Sequence, residues 1–317
     1  MKPPVRLLAV VFILSLLLAA CGGGTEEKAP PTPPVDLTRD DLGRSVAPPA
    51  SPQRVVALSP TVVELMFAVG ATPAGRPSSA DYPEAAKSLP NFGTSYAPSL
   101  EAIAAMKPDL IIADALIHQG LVDGFQSQLG VPIFAVRVAS AADVAHGLRV
   151  VGALTGKREA GETQAKALET KLAGIKAKLP AVGPSVLVVV AAGQGQFVAA
   201  KDTSYIGSIL KELGAKNIVT TEPENFRFAG FSDFSQERIV EKNPDVIIAA
   251  SIGPPGQPKT TDILKSTPAF ASLKAVKEGR VYEVDAFIYI QSAGPRVSLI
   301  LDELPKLLYP TVFAAAP

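Results

Sequence analysis

A phrase of fifteen residues occurs twice in the chain and constrains its fold more than any other feature. The copies span residues 99–113 and 235–249 and are identical at eight positions, which hold Ser, Glu, Ile, Pro, Asp, Ile, Ile and Ala. Each copy predicts a helix capped by Ser, a Pro-Asp stop and a buried strand. Copies this far apart do not form a solenoid. They predict two similar α/β lobes, with a ligand cleft between them.

The first twenty residues are typical of a secretory signal peptide. Lys2 and Arg6 precede an apolar run from 7 to 18, and small residues stand before Cys21. The stretch 18–21 resembles the bacterial lipoprotein box, in which the cysteine is acylated, so we expect Cys21 to be lipidated. An ordinary cleaved signal beside a chance cysteine is the alternative. A transmembrane helix is disfavoured because the apolar run is shorter than a bilayer requires.

Residues 21–37 are rich in Gly and Pro and predict a flexible tether that holds a globular body away from a membrane. The chain has 30 basic and 30 acidic residues, and loss of Lys2 and Arg6 with the signal leaves a slight negative balance. This composition excludes a nucleic-acid footprint. We expect a monomer in the cell envelope, either lipid-anchored on the outer face of the cytoplasmic membrane or in the periplasm.

Strands alternating with helices predict an α/β fold of two parallel-sheet lobes. We assign 38–140 to the first lobe, 141–180 to a linking helical region and 181–317 to the second lobe. Apolar residues at helical spacing between 158 and 179 predict one amphipathic helix about 30 Å long. We expect it to be a rigid strut between the lobes, the alternative being an ordinary surface helix.

Several stretches in the same order carry a family resemblance, namely 41–46, 54–60, 64–71, both copies of the repeat, 294–296 and 301–304. The chain resembles the substrate-binding proteins of ABC importers that carry iron–siderophore complexes, haem and cobalamin. The resemblance covers about 38–310. It implies the class III periplasmic-binding fold, a shallow cleft, and delivery of ligand to a permease driven by separate ATPase subunits.

The resemblance also gives a role to the repeated glutamate. Glu101 and Glu237 match the positions at which family members place an acidic residue on each lobe to meet a permease arginine. Paired carboxylates on the rim would steer and orient docking. The alternative is that each carboxylate merely stabilises the first turn of its helix.

The sequence says less about the ligand. Two histidines, His118 and His146, are too few to predict capture of a bare zinc or manganese ion. A bulky metal chelate would instead contact aromatic faces and a few cations. The candidate contacts at strand ends and in cleft loops are Ser59, Tyr82, Tyr96, Phe197, Tyr205, Arg227, Phe228 and Tyr289. Arg227 is the strongest of these, because aromatic residues flank it.

Three classes of metal chelate are candidates for the ligand. Residues 82–87 and 294–296 resemble the cobalamin-binding branch, whereas 93–99 look more like siderophore binders. Haem ranks third, since Tyr96 lacks the flanking pattern of the axial tyrosine found in that branch. No catalytic motif supports an enzyme, and no intrinsic cofactor is expected. A surface adhesin or scaffold on this fold remains an alternative.

Overall fold

The computed structural model of this protein describes residues 35–193, 195–225, 229–253 and 256–313. The predicted signal peptide, Cys21 and residues 21–34 of the predicted tether lie outside these ranges. So do Arg227 and Phe228, and the predictions made for all of these residues stay predictions.

The first lobe is a parallel three-stranded sheet with helices around it. In chain order its elements are β1 (Val55–Ala57), α1 (Pro60–Ala68), a 3₁₀ turn (Glu84–Ser88), α2 (Leu100–Ala105), β2 (Leu110–Asp114), α3 (Ala115–His118), α4 (Val122–Leu129) and β3 (Ile133–Val136). The central strand is β2. Successive residues of β1 and β2 enter two different apolar clusters, because neighbouring side chains of a strand point to opposite faces.

Two helices connect the lobes, α5 (Ala141–Leu154) and α6 (Arg158–Lys176). The 19 residues of α6 correspond to about 28 Å. The two helices cross closely at Gly161, where an added Cβ would lie 2.4 Å from the carbonyl oxygen of Leu148. Arg149 of α5 donates to Glu162 and Glu169 of α6. Lys171 of α6 in turn donates to Asp302 in the second lobe, at 2.7 Å.

The second lobe has a mixed sheet. Its elements are β4 (Ser185–Gly193), β5 (Gln196–Ala200), α7 (Tyr205–Glu212), β6 (Lys216–Asn217), β7 (Phe231–Asp233), α8 (Gln236–Lys242), β8 (Val246–Ala250), α9 (Thr260–Ser266), a 3₁₀ turn (Pro268–Phe270), α10 (Lys274–Lys277), β9 (Val281–Val284), a π-helical turn (Phe287–Gln291), α11 (Val297–Leu308) and α12 (Pro310–Phe313). The strand order is β7-β5-β4-β8-β9, and β6 also pairs with β4.

The predicted fold class of two α/β lobes joined by a long helix is confirmed, with one difference in the second sheet. There β5 runs antiparallel to both β4 and β7. Only two residues separate β4 from β5, and so short a connection can join only antiparallel strands. The parallel part of this sheet consists of β6, β4, β8 and β9.

The repeated aspartate has the same structural role in both lobes. Asp109 accepts hydrogen bonds from the backbone N–H groups of Gln53 and Arg54, just before β1. Asp245 accepts from the backbone N–H and hydroxyl of Ser185, the first residue of β4, at 2.8 and 2.7 Å. Each aspartate therefore ties the start of its own strand to the strand beside it.

A single apolar cluster runs through both lobes. It contains Val55 and Leu65 from the first lobe, Leu148 from α5, and Val188 and Leu301 from the second lobe. The lobes are thus joined by a continuous core as well as by α6. Among the described residues, no helix is long and apolar enough to cross a membrane.

Candidate interlobe site

A buried ion pair joins the lobes. Glu64 lies in the apolar helix α1 of the first lobe and is 3% exposed. Its carboxylate accepts from Nε and Nη2 of Arg296, at 2.8 and 2.7 Å, and from the hydroxyl of Ser292, at 2.7 Å. Both partners belong to the segment between β9 and α11 in the second lobe. Three hydrogen bonds satisfy a charge whose burial would otherwise be costly.

The guanidinium of Arg296 also lies between two aromatic rings, one from each lobe. Its Cζ is 4.5 Å from the ring centroid of Tyr82 and 4.7 Å from that of Phe287. Beside this stack is a groove of about 340 Å³ between the lobes, lined by Glu64, Phe67, Ala68, Tyr82, Pro83, Pro295, Arg296, Ser298 and Leu299. The stack fixes Tyr82, a predicted ligand contact, at the boundary of the lobes.

Sequence reasoning missed this ion pair, although a signal for it was present. Glu64 is the one charged residue of a nine-residue helix that is otherwise apolar apart from Thr61. A buried carboxylate needs a cation, and Arg296 follows a Gly-Pro pair that brings it to the start of α11. The distance of 232 residues between them hides the pairing from any local pattern.

Ser59 and the polar groups near it lie below the surface, at the carboxyl ends of β1 and β2. Ser59 is fully buried and caps α1 by accepting from the N–H of Val62. Asp114 caps α3, and burial raises the pKa of its carboxyl. His118 accepts from the Asp114 N–H at Nδ1 and donates from Nε2 to the carbonyl of Ser95, at 2.9 Å. His118 is therefore a structural core residue that holds the loop carrying Ser95.

Three of the predicted ligand contacts are aromatic residues with little exposed surface. Phe197 lies in β5 and packs edge-on against Phe270, with ring centroids 5.7 Å apart. Tyr205 opens α7, and burial raises the pKa of its phenol. Burial and the hydrogen bond to Glu303 likewise raise the pKa of Tyr289. Little of their side-chain surface is exposed; the predicted contacts at Ser59 and these three residues stay predictions and are not among the contacts proposed below.

Tyr82 and Tyr96 are predicted ligand contacts whose side chains are exposed in the structure. Tyr82 is 48% exposed and Tyr96 is 75% exposed. Tyr96 follows Ser95, whose carbonyl accepts from His118, so its loop is attached to α3. Two phenol rings of the first lobe therefore lie in exposed loops between α1 and α2.

Glu101 and Glu237 occupy equivalent exposed positions in the first turns of α2 and α8. A hydrogen bond from Ser235 lowers the pKa of Glu237 below its usual range. A groove of about 520 Å³ adjoins Glu237, lined by Gly195, Gln196, Phe197, Asp233, Phe234, Ser235, Gln236 and Glu237. The second lobe thus presents an acidic rim beside a cavity.

The described residues contain no group of three or more His, Cys, Asp or Glu side chains placed to hold a metal ion. Of the two histidines, His118 is in the core and His146 donates from Nε2 to the carboxylate of Asp41 at 3.0 Å. The hydrogen bond to Asp41 raises the pKa of His146.

Comparison with known sequences identifies relatives over most of the chain. The sequence profile of the periplasmic binding proteins matches residues 55–286. The Fe(3+)-citrate-binding protein YfmC of Bacillus subtilis is 26% identical over 277 residues, covering 83% of this chain and 82% of that protein. The vitamin B12-binding protein of Salmonella choleraesuis is 26% identical over 255 residues, covering 80% and 90%.

Solved structures support the architecture. The periplasmic heme-binding protein BhuT, in complex with two hemes, superposes with a TM-score of 0.70 at 23% identity, covering 83% of this chain and 99% of that chain. At this identity the likeness extends to the fold alone.

Proposed function

Since the chain belongs to the periplasmic binding protein family, we propose that it is the solute-binding component of an ABC importer and carries a bulky metal chelate. Lipidated Cys21 would anchor it in the cell envelope. The monomeric body would capture cobalamin or a ferric siderophore between the lobes and deliver it to a permease with separate ATPase subunits.

The observation that carries this proposal is the pair of exposed tyrosines, Tyr82 and Tyr96, in the loops of the first lobe. Parallel-sheet proteins bind ligands beyond the carboxyl ends of their strands, and Tyr82 lies at the boundary of the lobes, where its ring contacts Arg296 of the second lobe. Relatives of similar length are named for ferric citrate and vitamin B12, which are both metal chelates.

Haem is the second candidate. The phenol of Tyr96 is 75% exposed on its loop, and an open tyrosine could serve as an axial iron ligand. A surface adhesin or scaffold on the same fold would show no saturable binding of any of these chelates.

Glu101 and Glu237 would dock the loaded protein onto the permease. Both carboxylates are exposed, and they occupy the same position of the repeat, one on each lobe. Ion pairs with permease arginines at these points would set the orientation of docking and its rate more than its affinity.

The double variant Glu101→Ala with Glu237→Ala tests capture and delivery separately. Titration calorimetry with cyanocobalamin, a ferric catecholate siderophore and haemin should show saturable binding of at least one chelate. The affinity for that chelate should be equal in the wild type and the variant. Uptake of that chelate should fall at least tenfold in cells in which the variant replaces the wild-type chain.

The matched control is Glu159→Ala with Glu241→Ala. Glu159 also lies in a helix first turn, and both residues are exposed. Uptake by the control should equal wild-type uptake. Unchanged uptake in the Glu101/Glu237 variant would refute docking, and failure of every chelate to bind the wild type would refute chelate capture.

A further inference from the structure

The repeat continues past the strands and places an exposed aliphatic side chain at the same position in each lobe. Leu116 stands two residues beyond the end of β2, and Ile252 stands two residues beyond the end of β8. Leu116 is 52% exposed and Ile252 is 38% exposed. Both follow carboxyl ends of parallel strands, where ligands of such sheets bind.

Both side chains are held in place by hydrogen bonds of their own segments. The N–H of Leu116 donates to the carboxylate of Asp114 at 2.9 Å. In the second lobe, Ser251 precedes Ile252; its hydroxyl donates to Glu283 and accepts from the N–H of Thr260, at 2.8 Å. The two apolar surfaces are therefore presented on anchored backbone.

Tyr96 extends the apolar surface of the first lobe. His118, two residues beyond Leu116, donates to the carbonyl of Ser95 at 2.9 Å and so attaches the Tyr96 loop to α3. The Tyr96 loop is therefore tied to the helix that carries Leu116, and Ile252 is the counterpart of Leu116 in the other lobe.

The two arginines described near Tyr82, Arg296 and Arg76, are each already paired with a carboxylate of the protein. Arg296 is paired with Glu64. Arg76 donates to Asp81 and to the backbone carbonyls of Pro77, Ser78 and Lys87. A small polycarboxylate chelate such as ferric citrate needs cations for its recognition, whereas aliphatic and phenol side chains suit a ligand with apolar faces.

We infer that Leu116 and Ile252 contact the transported ligand from opposite lobes, and that this ligand is a chelate with apolar ring or alkyl faces instead of a small polycarboxylate. This inference rests on the proposed function. Arg227 lies outside the described residues. Whether its cation lets the protein bind a small anionic chelate is tested below by the titration with ferric citrate.

The test is titration calorimetry of the wild type, Leu116→Ser and Ile252→Ser with cyanocobalamin, a ferric catecholate siderophore, haemin and ferric citrate. Serine removes apolar surface without adding charge, and both positions are exposed, so the variants should keep their circular dichroism and melting temperature. We expect the wild type to bind one of the first three chelates at least tenfold more tightly than ferric citrate. Each variant should weaken that binding about tenfold.

Val182→Ser is the matched control, since Val182 is 70% exposed and precedes β4, at the amino end of the sheet. Its affinities should stay within about twofold of the wild type. Tightest binding of ferric citrate, or unchanged affinity in the folded Leu116 and Ile252 variants, would overturn the inference while leaving chelate capture intact. Failure of all four probes to bind the wild type would instead contradict the proposed function and overturn the inference with it.

Discussion

At the scale of single residues, the pairing of Glu64 with Arg296 joins the two lobes through a buried charge. The carboxylate is almost fully buried and accepts three hydrogen bonds from the second lobe. Such a pair adds little net stability over apolar packing, but loss of one partner leaves a buried charge without compensation. Its main effect is to specify how α1 meets the segment before α11.

We predict that Glu64→Gln lowers the free energy of unfolding by about 3 kcal/mol, because the Arg296 charge then lacks its counter-ion. The double variant Glu64→Met with Arg296→Met should recover stability to within about 1 kcal/mol of the wild type. Urea unfolding followed by circular dichroism measures both.

Glu241→Gln, a neutralisation of an exposed carboxylate, serves as the control and should change stability by less than about 0.5 kcal/mol. Equal stability of Glu64→Gln and Glu241→Gln would contradict the structural role assigned to the ion pair.

At the scale of elements, the repeat is a unit of helix, stop and strand whose aspartate joins neighbouring strands. Burial opposes ionisation of Asp245, but hydrogen bonds from Lys274 and Ser185 outweigh it and lower the pKa to about 2. Lys107 and Asn243 occupy equivalent positions after the two helices, and both have left-handed backbone conformations, with φ of 51° and 42°. Each copy therefore stops its helix in the same way before the strand begins.

We predict that Asp245→Asn lowers the free energy of unfolding by about 1 kcal/mol at pH 7, after allowance for the partial exposure of the carboxyl. Because the folded-state pKa is below the unfolded value, the ionised carboxyl stabilises the fold above about pH 4. That contribution is lost as the pH falls towards 2.

Urea unfolding at pH 7, 4 and 3 should therefore show a difference between wild type and variant that shrinks with falling pH. Asp202→Asn, at an exposed loop position, should show no such dependence. A difference that stays constant from pH 7 to 3 would refute the assigned pKa shift as its cause.

At the scale of the whole molecule, two lobes share one apolar core that passes through α5, α6 and α11. A continuous core of this kind resists separation of the lobes, which supports the expectation that α6 is a rigid strut. Ligand capture would then depend on side chains already positioned at the strand ends.

The sequence predicted the lobes, the connecting helix and the strand ends, because periodicity and a repeated phrase report local structure directly. It did not predict the antiparallel β5, since the phrase does not extend to that hairpin. It also missed the pairing of Glu64 with Arg296, because contact between residues 232 apart depends on how the lobes meet. Burial of Ser59, Tyr205 and Tyr289 likewise depends on packing between elements.

A metal chelate captured between the lobes is expected to lie beside Tyr96. The chain has no tryptophan, so Tyr96→Trp introduces a single reporter there and Val182→Trp introduces one at the amino end of the second sheet. Titration with cyanocobalamin, a ferric catecholate siderophore or haemin should quench the fluorescence of Trp at position 96 saturably, at one equivalent, and far more strongly than that at position 182. Equal quenching at both positions, or none at position 96 by any of the three chelates, would contradict this expectation.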